Sequence, residues 1–318
     1  MHHHLYPFER FPRNPILTKE DIPYPCNTVF NAAACKFQDK YLLVLRVEDL
    51  KGHSHLTLAT STDGYHFEIQ PDPWVTPSPN PPFELYERYG IEDPRVTRIG
   101  DTYYITYTAY GPPGPRVAIG KTRDFETFER ICLATEVDNK DAVLFPEKIN
   151  GYYVMINRPS GMGGVKGSMW ITYSPDLIFW GRSRVLLSPE PGWGGHKVGV
   201  STPPLKTEEG WLVLYHGIRE TAAGRLYRIG VMLLDLENPE KILGYCPHFI
   251  FGPEEIYERT GDVPNVVFPC GWIPEPDGTV KMYYGAADTC IGVAEASLEN
   301  LLHVCRYEKH IEGKRDSR

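Results

Sequence analysis

Five times along the chain a turn is followed by a short run of aromatic and β-branched residues, and this repetition constrains the fold more than any other feature. The copies are DKYLLVLR at 39–46, DTYYITYT at 101–108, NGYYVMIN at 150–157, EGWLVLYH at 209–216 and DGTVKMYY at 277–284. With Tyr41, Tyr103, Tyr152, Trp211 and Thr279 taken as equivalent, the steps are 62, 49, 59 and 68 residues. Each step holds one four-stranded unit and loops of varying length. Like units at recurring spacing bury their faces on one another.

Two further strands accompany each copy. One follows, at 56–64, 116–124, 168–176, 228–235 and 290–297. The other precedes, at 31–36, 93–98, 142–148, 201–206 and 268–273. The expected fold is all-β: a five-bladed β-propeller with four-stranded blades around a central channel, with a β-sandwich as the alternative. The 29 Gly and 29 Pro, spread among 20 Tyr and 13 Phe, suit short strands and turns rather than long helices. No composition break divides the 318 residues, so one domain is expected over 1–318, with an N-terminal arm to about residue 20 and a charged tail from about 306.

In a propeller the start of each innermost strand and the end of the next approach the axis. Five residues past each register residue stand Arg46, Thr108, Asn157, His216 and Tyr284, where core packing would have placed Val or Leu. Innermost strands begin near Asn31, Asp93 and Thr202. Polar groups repeating there converge on one axial site. Its sharpest segment is YGIEDPRVT at 89–97, in which Pro94 fixes the backbone and pushes Asp93 into an extended conformation. If the segment is only a turn, Arg95 pairs with Glu92. If the strand is regular, Glu92 points to the opposite face from Asp93. Arg158, Lys197 and His216 on neighbouring blades form a candidate oxyanion site, since a planar fork and a point charge together grip a tetrahedral anion. The structural alternative is that these cations pair with carboxylates and stitch blades together.

Two motifs carry less than they suggest. GMGGVKGS at 161–168 has its Lys and Gly in the wrong order for a phosphate-binding loop. His53 and His55 share one strand face but have no third ligand nearby, so no metal site is expected. The formal charge of −8 argues against a nucleic-acid or anionic-membrane surface, and no apolar run reaches the roughly 20 residues that span a bilayer. With no signal segment at the start, a cytoplasmic protein is expected. The seven cysteines contain no Cys-x-x-Cys pair and read as reduced buried thiols. His2, His3 and His4 read as a tag remnant or a frayed end.

The chain resembles the glycoside hydrolase 130 family of β-mannoside phosphorylases over almost its whole length. The resemblance is carried by IEDPR at 91–95, KDAVLFPEK at 140–148 and YYGAAD at 283–288. It implies a five-bladed propeller in which Asp93 is the general acid. It also implies that Asn31, Arg46 and Asp288 bind the mannose at the cleaved end, and that Arg158, Lys197, His216 and Tyr227 bind phosphate. Whether Lys140 also contacts the anion stays open. Hydrolytic members of the family lack that basic set. The implied reaction is inverting phosphorolysis of a β-1,4-mannoside to α-mannose 1-phosphate, with inorganic phosphate as co-substrate and no cofactor. By the resemblance the proton travels through the sugar's own 3-hydroxyl. An inverting hydrolase, with Glu92, Glu147 or Asp288 as base, and a non-catalytic sugar-binding propeller are the alternatives. Glucose, N-acetylglucosamine and mannose all stay open as the leaving sugar. A homo-oligomer is expected, because the arm from Tyr6 to Pro15 is rich in aromatic and proline residues and the tail from Tyr307 to Arg318 is too polar to close a blade alone.

Overall fold

The computed structural model describes residues 6–160 and 167–305. The chain is a five-bladed β-propeller, and each repeated segment is the second strand of a blade. These strands are Lys40–Glu48, Thr102–Tyr110, Tyr153–Pro159, Trp211–Thr221 and Thr279–Ala286. Each pairs antiparallel with an innermost strand, in blade order Thr28–Phe37, Gly90–Ile99, Asn139–Leu144, Lys197–Val200 and Val267–Pro274. On its other side each pairs with Ser54–Ser61, Arg116–Thr122, Met169–Ser174, Gly224–Leu234 or Cys290–Ser297.

Two expected inner strands are shorter than the sequence suggests, and prolines explain both. Asn139–Leu144 stops before Pro146, and the 201–206 segment pairs only at Leu205–Lys206 after Pro203 and Pro204. A proline has no N–H to give to a ladder. Among the described residues helix is confined to Lys19–Asp21, Phe83–Tyr86, Ile256–Arg259 and a segment over 298–305. Among the described residues no helix is long and apolar enough to cross a membrane.

The core lies between blades. In Lys40–Glu48, Leu43 and Leu45 pack towards the fifth blade while Leu42 and Val44 pack towards the second. Trp211 and Val213 likewise join the third-blade cluster, and Leu212 and Leu214 the fifth-blade cluster. A strand covered on both faces reads as an unbroken hydrophobic run rather than an alternating one. Five such clusters fill the five interfaces and close the ring.

The outermost strands are Glu68–Ile69, Glu129–Leu133, Gly181–Leu187 and Ile242–Tyr245. In the fifth blade the place is taken by Glu9–Arg10, from the opposite end of the chain. Arg10 locks this closure. Its Nε and Nη2 donate to the two carboxylate oxygens of fully buried Glu258 at 2.8 and 2.9 Å, and its guanidinium lies 4.3 Å above the Phe251 ring. Glu258 also accepts from the Tyr284 hydroxyl and the backbone N–H groups of Glu254 and Glu255. The arm whose aromatic residues suggested a partner chain is thus spent within the ring: Phe8 is buried beside Phe251, and Phe11 stacks on Tyr65 at 4.4 Å.

Removing one member of a buried ion pair costs about 3–5 kcal/mol, because the other charge stays buried alone. Arg10→Ala is therefore expected to lower the unfolding free energy by about that amount. Glu254→Ala, which removes a mostly exposed partner of the same arginine, should cost less than about 1 kcal/mol. Denaturant titration of the two variants checks this, and equal effects would reject the latch.

Candidate active site

Three blades begin at the axis with the same backbone device. The inner strands of the first, second and third blades lose register against their neighbours between Phe30 and Ala33, Glu92 and Arg95, and Lys140 and Val143. At each bulge a non-glycine residue takes a positive φ: 48° at Asn31, 49° at Asp93 and 53° at Asp141. A bulge re-aims a side chain, and here it delivers two carboxyls and an amide to the axis. The fifth blade contributes Asp288 from a turn where Ala287 and Asp288 have φ of 47° and 51°.

These residues open onto one cavity of about 410 Å3 with walls from all five blades. Asn31, Arg46, Asp93, Arg158, Lys197, His216, Tyr227 and Asp288, all singled out in the sequence, line it together with Lys140. Two expectations about the second blade are corrected. Asp93 is in the left-handed region, not extended, and Glu92 lines the same cavity instead of facing away. Both follow from the bulge at Asp93 and Pro94, which breaks the alternation of a regular strand. Arg95 does not pair with Glu92 either. It is buried, and donates to the carbonyls of Asp93 and Ser201 at 3.0 and 3.1 Å.

The cavity has two unlike walls. On one, Asp93 Oδ1 accepts from Asn31 Nδ2 at 2.8 Å and Arg46 Nη1 at 2.7 Å. Glu92 bridges Arg46 at 3.2 Å and Lys140 at 3.2 Å. Burial would push the Asp93 carboxyl up, but Arg46, Arg95 and Lys140 outweigh it and hold the group below its ordinary value. Asp288 goes the other way. Burial, supported by Asp93 and Glu92 and opposed by Arg46, raises it to about 7. Of these two carboxyls Asp288 is therefore the one that holds a proton as pH falls through neutrality, while Asp93 is ionised.

The facing wall, from the third and fourth blades, is cationic. Arg158, Lys197 and Arg225 line it, and burial together with the two arginines depresses the Lys197 ammonium. Asp141 lies behind them, buried, accepting from Arg158 Nε at 2.6 Å and facing His216 Nε2 at 3.3 Å. Burial is outweighed there by Arg158, His216 and Arg95, so Asp141 stays ionised far below the usual carboxylate range. The other His216 nitrogen, Nδ1, lies 3.3 Å from Ser201 Oγ. Burial lowers His216, which makes it a neutral imidazole whose Nε2–H is directed to Asp141. Gly199 permits this approach, since a Cβ there would lie 2.6 Å from both Asp141 Oδ2 and the imidazole.

Asp141 and Arg225 are the site residues that the sequence reading passed over. For Asp141 the signal was available: Asn31 and Asp93 each lie 8 residues before the turn residues Asp39 and Asp101, and Asp141 lies 9 before Asn150. The histidine pair that suggested a metal separates, because His55 Nε2 meets the Tyr24 hydroxyl at 2.9 Å while His53 lies near Tyr89. The glycine-rich segment 161–166 lies outside the described residues, as do His2, His3, His4 and the tail from 306.

Comparison with known proteins places the chain in a family. Residues 7–307 match the family model of glycoside hydrolase family 130, described as beta-1,4-mannooligosaccharide phosphorylase. The chain is 37% identical over 300 residues to a beta-1,4-mannooligosaccharide phosphorylase of Ruminococcus albus, covering 92% of this chain and 89% of the relative. It is 39% identical over 279 residues to a beta-1,2-mannobiose phosphorylase of Listeria innocua, covering 86% and 76%. A solved structure of a Listeria innocua beta-1,2-mannobiose phosphorylase in complex with beta-1,2-mannobiose superposes with a TM-score of 0.86 at 32% identity, covering 94% of this chain and 99% of that one.

A raised carboxyl has a consequence for stability. Between the ordinary Asp value of 3.8 and about 7 the folded chain keeps a proton on Asp288 that the unfolded chain has released. This group's contribution is whole below the lower value and is lost as pH rises to the upper one. Asp288→Asn should therefore lose less stability than the parent between about pH 4 and about pH 8 in denaturant titrations. Parallel pH profiles would remove Asp288 as the proton holder.

Proposed function

The chain belongs to glycoside hydrolase family 130, and from that premise we propose that it cleaves a β-1,4-mannosidic bond with inorganic phosphate, inverting the anomeric carbon to give α-mannose 1-phosphate. The observation that carries this reading is the cationic wall. An inverting hydrolase needs a second carboxylate, about 6.5–9.5 Å from the acid, to activate water. Among the described residues the one carboxylate from an inner strand on the wall facing Asp93 is Asp141, and Arg158 clamps it. Lys197, without an ion pair among the described residues, beside the Arg158 N–H groups that Asp141 leaves unused, suits a multivalent anion, and an anion already ionised needs no base.

In this reading the mannose at the cleaved end lies against Asn31, Arg46 and Asp288. Phosphate lies against the free N–H groups of Arg158 and Lys197, the Tyr227 hydroxyl and the edge of the His216 ring. Holding both converts an encounter in solution into an attack at fixed geometry. Asp93 donates the proton, by family resemblance through the sugar's 3-hydroxyl. The free site keeps Asp93 ionised, so it takes up its proton as substrates enter. A phosphate dianion nearby and the loss of water both favour the protonated carboxyl, and Asp288 is a neighbouring source.

The β-1,4 linkage is favoured by the family description and the Ruminococcus albus relative. The β-1,2 linkage is the second reading, favoured by the Listeria innocua relative.

Turnover of β-1,4-mannobiose is expected to require phosphate and to release α-mannose 1-phosphate, with β-1,2-mannobiose a poorer substrate. Equal turnover in phosphate-free buffer would reject phosphorolysis, and faster turnover of the β-1,2 disaccharide would reject the linkage. Lys197→Ala should weaken phosphate binding by about 1.5–3 kcal/mol, the scale of hydrogen bonds to charged groups. Asp93→Asn should slow turnover by about 10²- to 10⁴-fold. The deficit should shrink on a nitrophenyl mannoside, whose leaving group needs little protonation.

A further inference from the structure

Three rings stand in a row on the rim of the first and second blades. His53 precedes Ser54–Ser61, Tyr89 precedes Gly90–Ile99, and Tyr110 ends Thr102–Tyr110. The His53 and Tyr89 centroids are 6.2 Å apart with planes tilted by 40°, and those of Tyr89 and Tyr110 are 5.6 Å apart at 67°. The row meets the cavity at Lys140, which lines it and whose Nζ lies 5.8 Å from the centre of the Tyr110 ring. Tyr89 and Tyr110 are 40% and 39% exposed. They belong to no inter-blade core cluster, and among the described residues neither phenol hydroxyl has a partner. Two large aromatic side chains are thus held side by side with faces and hydroxyls open, and the packing of the fold does not require them there.

Inversion supplies the direction. Attack on an anomeric carbon with inversion places nucleophile and leaving group on opposite sides of the sugar. With phosphate on the third and fourth blades, the leaving group departs towards the opposite wall, where the first and second blades carry these rings. A cavity of about 410 Å3 is at the small end for ligand sites and is shared by phosphate, mannose and the first leaving sugar. Any longer chain continues over the rim.

We propose that Tyr110, Tyr89 and His53 form a binding lane for the second and later sugars of a departing mannooligosaccharide, so that the enzyme prefers chains longer than a disaccharide. This deepens the phosphorolytic reading and rests on it for its direction. The chemistry suits the ligand: a pyranose has apolar C–H faces that lie on aromatic rings, and its hydroxyls can reach phenol groups at the ring edges. Successive tilts of 67° and 40° suit a chain that twists from one sugar to the next, not a flat stack.

The test compares β-1,4-linked mannobiose, mannotriose and mannotetraose, each with inorganic phosphate, in the parent and in Tyr110→Ala and Tyr89→Ala. In the parent kcat/KM is expected to rise with length. Each variant should lose about tenfold on mannotetraose, the scale of losing one anchoring aromatic, and stay within about twofold on mannobiose. A length-independent parent, or variants equally impaired at every length, would overturn the lane. So would variants whose length preference is intact but whose mass by light scattering falls, since the rings would then hold a second copy of the chain. If no mannoside is cleaved with phosphate, the phosphorolytic reading fails separately. Calorimetric binding of mannotetraose without phosphate, weakened about tenfold by Tyr110→Ala if the lane exists and unchanged if it does not, still decides the proposal.

Discussion

The site depends on a backbone irregularity repeated on three neighbouring blades. A regular inner strand would alternate its side chains between the two adjoining interfaces, and every residue would be claimed by packing. The bulges at Asn31, Asp93 and Asp141 interrupt that alternation where the strands reach the axis. Each bulge holds a non-glycine residue at φ near 50°, a conformation that costs on the order of 1–3 kcal/mol. The surrounding ladders and the closed ring over-determine the backbone and offset this. The reward is chemical: two carboxyls and an amide are fixed on rigid strands rather than on loops, and adjacent Glu92 and Lys140 are turned into the same cavity.

Burying so many charges is tolerable only because each is answered. Asp93 is held by Arg46 and Asn31, Glu92 by Arg46 and Lys140, and Asp141 by Arg158 with His216 and Arg95 behind it. Such networks contribute little net stability, since desolvation consumes most of the attraction. What they provide here is a division of the cavity. On the carboxyl wall Asp288, raised to about 7, is the readiest proton holder, and on the cationic wall Lys197 is left without an ion pair among the described residues, while Arg225 is answered by Glu220. A sugar to be protonated and an anion that attacks it belong on opposite walls of this kind.

The repeat made most of the fold legible. Second strands show as hydrophobic runs because both faces are buried, and the polar residue that ends the pattern marks the axis at Arg46 and His216. Asn31, Asp93, Arg158, Lys197, Tyr227 and Asp288 also line the cavity. Other features were hidden for definite reasons. Period-two reasoning presumes a regular ladder, so it sent Glu92 to the wrong face. Asp141 sits one residue out of the spacing shared by Asn31 and Asp93, because the stretch around Pro146 between its strand and the two-residue turn is irregular. The closing strand is two residues long in a proline-rich arm, and its lock joins Arg10 to Glu258 across 248 positions. Neither local pattern nor composition records a partner so distant.

The choice of nucleophile, on the phosphorolytic reading, comes down to the ion pair between Asp141 and Arg158. Asp141 is the carboxylate behind the wall from which attack would come, in the part of the site where a hydrolase keeps its base. It is unfit for that work here: Arg158 Nε lies 2.6 Å away, His216 faces the same oxygen, and these neighbours with Arg95 hold it ionised far below the range in which a base exchanges protons near neutral pH. The same contacts orient the Arg158 fork and the His216 edge towards the cavity. On that reading a carboxylate that could have activated water serves instead to aim the groups proposed to receive phosphate, and one buried charge pair would both disfavour hydrolysis and assemble the anion site.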